Sequence, residues 1–190
     1  MPQAMTTEPD KGDKNVVDRK KIREAINWTF QTTQADPFAW YKEALSFHEA
    51  AVILYNHKGH FTRTFAFNAG LSLELALKSI LVAKGAKPRI THKISELAAQ
   101  AEVDIDAAQK DTLDIFAVIV EWQGRYPAPT SEAKWDDFHD KIQEKIIIRR
   151  RDKNVFKTLV VADRFPSFQN YLRLWNLCNA EFRKAAQSAP

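Results

Sequence analysis

Apolar residues in this chain recur at three- and four-residue intervals and seldom alternate, which predicts helices and not strands. Asp36-Pro37 reads as a helix start. Asp is a good N-cap, and proline loses nothing at the first helical position. Phe38, Tyr41, Ala44, Leu45, Phe47, Ala51, Leu54 and Tyr55 then follow as one buried stripe, ending near Asn56–Gly59. A second helix is predicted from about His60 to Lys84, stopped by Gly85 with Pro88 beyond it. Its apolar residues nearly encircle it, from Phe65 and Leu71 to Ile80 and Leu81, as befits the central helix of a bundle.

Shorter helices are predicted over Thr91–Ala101 and Asp106–Trp122, the latter with the capping-box spacing of Asp106 and Gln109. Gly124, Pro127 and Pro129 end it. Ser131 caps a fifth helix with Trp135, Phe138, Ile142 and Ile146 on one face, and the Ile146–Ile148 run also reads as a short strand. The last helix begins near Pro166 and carries Phe168, Leu172, Trp175, Cys178 and Phe182. Upstream, Ile22, Ala25, Ile26 and Phe30 form the apolar side of one further helix. Residues 1–15 lack periodicity and are expected to be a disordered tail. The expected fold is therefore an all-α bundle of five or six helices, one domain over residues 16–190.

Composition narrows this. Only five glycines in 190 residues argue against a sheet with many tight turns. A net charge of +4 is compatible with an acidic partner such as RNA without demanding one. The single cysteine, Cys178, excludes an internal disulfide and fits a reducing cytoplasm. Met1–Val17 shows no apolar stretch of a secretory signal. The longest apolar run, Phe65–Ala83, is interrupted by Asn68, Glu74 and Lys78, so it reads as a buried helix and not a membrane span.

Three segments stand in a telling order: AFNAGLSLELALKSILVAKG, THKISELA and EWQGRYP. Together they resemble the HEPN family over residues 65–127. The elements are a small-residue helix with an internal Glu and Lys, a loop ending in His before a short helix, and an Arg-Tyr-Pro closing the next long helix. The resemblance implies an up-and-down bundle, a homodimer, and a function with RNA or nucleotides. Many members are metal-independent ribonucleases with an Arg-x4–6-His signature. The chemistry is intelligible: an imidazole moves the proton while a guanidinium steadies the phosphate charge. None of His48, His57, His60, His92 and His139 has an arginine five to seven positions upstream, and the places after Arg125 hold Thr130, Ser131 and Glu132.

The candidate residues each carry two readings. Glu74 and Lys78 stand at i and i+4 between leucines, as a partly buried ion pair that is either a site or a polar staple. His92 is either a phosphate or base contact or the source of a local capping or interhelical hydrogen bond, for which Glu74 is one candidate partner. Arg125 with Tyr126 is a ligand- or RNA-binding candidate, and Arg149, Arg150 and Arg151 suit a nucleic-acid backbone unless they are a solvated face. Arg125, His92 and His139 are the residues a divergent ribonuclease would use. His57 and His60 lack a third ligand at a telling spacing, so no metal is expected, and no cofactor motif is present. Cys178 reads as a core residue. Trp122, Tyr126 and Trp135 are interface candidates, with core filling the alternative for each. The expected function is a non-catalytic HEPN-like module binding RNA, a nucleotide or a partner protein. Its expected setting is a cytoplasmic toxin–antitoxin or phage-defence system with a nucleotidyltransferase-like partner. The alternative is a metal-independent ribonuclease with a divergent active site.

Overall fold

A computed structural model of the chain describes residues 18–57, 62–152 and 155–188. The chain divides into two compact units, residues 1–33 and 34–190. The expected tail, residues 1–15, lies outside the described residues, as does His60 at the expected start of the second helix.

In the first unit, Asp18 accepts from the amides of Lys20 and Lys21 and starts α1 (Arg19–Ala25). The single helix expected through Phe30 is instead broken. Asn27 adopts φ 57°, a conformation Asn tolerates, and α2 (Phe30–Ala35) begins afresh.

The second unit is built around two long helices. Asp36 accepts from the Phe38 amide and Pro37 opens α3 (Pro37–Asn56). Next comes α4 (Thr62–Ala83), buried on nearly every side, whose end carries Gly85 at φ 75°. The Gly85 and Ala86 amides return to the carbonyls of Val82 and Leu81, the Schellman pattern. By length and composition α4 is apolar enough to cross a membrane, but here it is the core of the bundle. It is flanked by α3, α5 (Ile94–Gln100), α6 (Ala107–Val118) and α8 (Phe168–Ser188). At Gly70 the chain of α6 and the turn after it comes close: a Cβ there would stand 2.6 Å from Cγ2 of Val120 and 3.2 Å from the Phe116 carbonyl.

The expected stripe of α3 is narrower than its periodicity implied. Only Ala44 and Ala51 are fully buried, and Phe38, Leu45 and Tyr55 are exposed. Small residues let α3 approach α4 closely, which pushes the larger rings to its flanks. There they meet α8: Tyr41 stacks on Phe182 at 4.2 Å and Tyr55 on Phe168 at 3.9 Å. Ser131 caps α7 (Glu132–Ile146), which runs directly into an antiparallel hairpin of β1 (Ile147–Asp152) and β2 (Val155–Val160). The strand reading of the isoleucine run therefore holds from Ile147 onward. The architecture of the described residues is all-α apart from this hairpin.

One polar cluster lies inside the core. Tyr171 is fully buried, and its hydroxyl meets Ser72 Oγ at 2.9 Å and His48 Nδ1 at 2.7 Å. Ser72 donates to the Ala69 carbonyl, so Tyr171 donates to Ser72 and accepts from the Nδ1–H of His48. Burial raises the Tyr171 pKa. The His48 ring also stacks on Trp175 at 4.2 Å, and burial lowers its pKa against the opposing charge of Glu49. The unfolded chain therefore takes up this proton at higher pH than the folded one. Stability is full above the ordinary histidine value of about 6.5 and falls as pH drops below it. Urea midpoints at pH 7.5 and pH 5.5 should differ in the parent, and His48→Asn, which keeps an amide donor near the Nδ1 position, should reduce that difference. Identical pH slopes in the two proteins would count against this assignment.

Candidate functional site

Glu74 and Lys78 lie one turn apart on the central helix, where both heads are enclosed by apolar neighbours. The Glu74 side chain is 4% exposed and that of Lys78 10%. Lys78 Nζ donates to Oε1 of Glu74 at 2.6 Å, and Nδ1 of His92 donates to Oε2 at 2.9 Å. A carboxylate only accepts, so this contact fixes the proton of His92 on Nδ1. His92 precedes α5, which begins at Ile94 and not at the expected Thr91; Thr91 Oγ1 accepts from the Lys93 amide in the turn before it.

The His92 ring is 49% exposed and lines a groove of about 550 Å³ formed by α5, α6 and α7. Ala117 and Val118 line it with apolar surface. One wall is braced by Asp114, which accepts from Ser95 at 2.5 Å and Lys145 at 2.8 Å. Burial acts to raise the Asp114 pKa, but the hydrogen bonds from Lys145 and Ser95 and the nearby lysine charges outweigh it and leave it lowered. Lys145 also reaches Asp111 at 2.8 Å, and Arg164 reaches Asp111 at 3.4 Å, so this network ties α6 to α7 and to the chain after the hairpin. The spacing of Asp111 and Asp114 on one helix face could have signalled it, but their cationic partners are 31 and more residues away.

The end of α6 is not a plain helix. Over Ile119–Gln123 it widens into a π turn, closed by the Gly124 amide on the Ile119 carbonyl at 2.8 Å. Gly124 packs against Phe67, leaving no room for a side chain. The π turn places Arg125 and Tyr126 on the surface. The Arg125 guanidinium donates to the Glu121 carbonyl and lies 5.5 Å from the Tyr126 ring centre, a cation–π contact. Tyr126 is 55% exposed and Trp135, at the start of α7, 42%. Trp122, in contrast, is buried against Trp135 and Phe138, so core filling is the correct reading for it. Glu121 also binds Lys134 at 2.9 Å, and its place four residues before Arg125 is the signal that the sequence offers.

The model of the HEPN domain family matches residues 38–148, well over half of the chain. The chain belongs to the HEPN family. The match takes in α3 and α7 as well as the three segments between residues 65 and 127. No curated protein and no solved structure matches the chain.

In this HEPN domain the three residues a ribonuclease would need have separate partners. Arg125 is held by Glu121 and Tyr126, His92 by Glu74, and His139 donates from Nδ1 to the Trp135 carbonyl at 2.8 Å. No contact joins any two of them among the described residues. Arg149, Arg150 and Arg151 fall on β1, and their side chains lie outside the described ones. The His57-to-His60 segment is likewise outside, save for His57. No group of metal-ligating residues forms among the described residues. Cys178 is buried, and burial pushes its thiol up to about 12, far from a nucleophile's range.

Proposed function

We propose that this HEPN protein is a non-catalytic module that binds RNA or a nucleotide by its phosphates and bases. It acts as a cytoplasmic homodimer, in a toxin–antitoxin or phage-defence setting beside a nucleotidyltransferase-like partner. The observation that carries the reading is the surface at the π turn. An exposed guanidinium stands next to an exposed phenol ring, with the exposed indole of Trp135 on the neighbouring helix. A guanidinium suits a phosphate's paired oxygens, and flat rings suit unstacked bases. A two-fold contact at this end would bring two copies of Arg125 into one basic cleft. The missing histidine after Arg125 leaves no proton carrier in the family's usual place.

Fluorescence anisotropy with a labelled single-stranded RNA tests this. Arg125→Glu should weaken binding by on the order of 10-fold, since a charge-assisted contact is lost and a repulsion gained. It should also flatten the salt dependence by about one phosphate contact per site. Light scattering should give twice the chain mass of 21.8 kDa. A clean monomer, or RNA affinity indifferent to Arg125→Glu, would sink the reading. Cleavage of the RNA by metal-free protein, abolished by Arg125→Ala, would establish the ribonuclease alternative in its place.

A further inference from the structure

The groove over His92 differs chemically from the Arg125 surface. Every charged side chain lining it already has a partner. Lys93 binds Glu96 at 2.9 Å, Glu121 binds Lys134 at 2.9 Å, Lys141 binds Asp137 at 2.6 Å, and Asp114 is held by Lys145. The groove thus offers no uncompensated charge to recruit an anion. With Nδ1 committed to Glu74, the second ring nitrogen of His92, Nε2, has no protein partner among the described residues, and in a neutral ring that nitrogen is an acceptor. Ala117 and Val118 give the same groove its apolar surface. The volume is within the range of small-molecule sites.

We propose that this groove binds an uncharged planar heterocycle bearing an N–H donor, of the aminopyrimidine or aminopurine kind, which donates to Nε2 of His92. Glu74 acts as a positioning residue: it holds the imidazole in the tautomer whose outward nitrogen accepts. Lys78 holds Glu74 as an acceptor for both contacts. The specificity follows from hydrogen-bond matching, because a flat ligand without an N–H leaves Nε2 desolvated and unpaired. Arg125 does not line the groove, so this site stands or falls independently of the phosphate-binding reading.

The test uses the full chain, uniformly ¹⁵N-labelled, observed by NMR at its histidine ring nitrogens and backbone amides. Cytosine and 2-aminopyrimidine are the probes. Caffeine, planar and without an N–H donor, and inorganic phosphate are the controls. Cytosine should move the Nε2 resonance of His92 saturably, in the millimolar range expected of a fragment. Caffeine and phosphate should not. His92→Phe should abolish cytosine binding, and Arg125→Glu should leave it unchanged. Should His92→Phe not fold, backbone amide shifts of Ser95 and Ala117 in the parent decide: saturable shifts there with cytosine support the site. No saturable shift at His92, an equal response to caffeine, a response to phosphate alone, or loss of cytosine binding in Arg125→Glu would each overturn it.

Discussion

Replacing Glu74 with alanine is expected to destabilise the fold by about 3–5 kcal/mol, the range found when one member of a buried ion pair is removed. For a chain of this size that corresponds to a fall of roughly 6–20 °C in melting midpoint. The cause is what stays behind. The Lys78 side chain, 10% exposed, would be stranded between apolar neighbours without the carboxylate that binds it. His92 would lose the acceptor that orients its ring. The pair itself need not stabilise the fold, because desolvating two charges costs about as much as their attraction returns. The double change Glu74→Leu with Lys78→Met should therefore recover most of the single-variant loss. Thermal melts of the three proteins check this. An unchanged midpoint for Glu74→Ala, or a double variant no better than the single, would refute the account.

The ion pair was legible in the sequence because its signal is local. Glu74 and Lys78 are one turn apart, and Leu73, Leu75 and Leu77 leave them no solvent on that helix. The sequence leaves open whether His92 meets a ligand, caps its own turn or reaches another helix, and only the fold decides which loop histidine reaches a residue 18 positions away. Helix ends were legible for the same local reason: Asp36, Asp106 with Gln109, Ser131 and Gly85 all perform the capping chemistry their residue types imply. The face of α3 was not. Periodicity marks Phe38 and Ala44 alike as apolar, and cannot tell a ring that flanks α8 from a methyl that sits against α4. Trp122 and Trp135 show the same ambiguity, one buried and the other half in solvent. The π turn was invisible, since its residues follow ordinary helical spacing until Gly124 is seen against Phe67.

That contact makes Gly124→Ala the second large effect expected, about 1–3 kcal/mol of destabilisation from overpacking. The backbone is not the obstacle. Gly124 has φ −73°, which alanine adopts freely. The obstacle is space: a Cβ would lie 2.6 Å from Cδ2 and 2.7 Å from Cβ of Phe67, and 2.9 Å from the Ile119 carbonyl oxygen. A ring end can rotate away, but a Cβ and a carbonyl can move only with their backbones. The same carbonyl accepts the Gly124 amide at 2.8 Å and closes the π turn, so the added methyl presses on the bond that shapes it. Arg125 follows directly in the chain, and its displacement should weaken RNA binding along with stability. Phe67→Ala in the Gly124→Ala background should cost less than in the parent, a coupling above about 0.5 kcal/mol, because the ring is one source of the clash. It should not restore full stability, because Cβ of residue 67 and the Ile119 oxygen remain. Urea unfolding of the four proteins measures the coupling. Additive losses would mean that the π turn accommodates the methyl group by shifting away from Phe67.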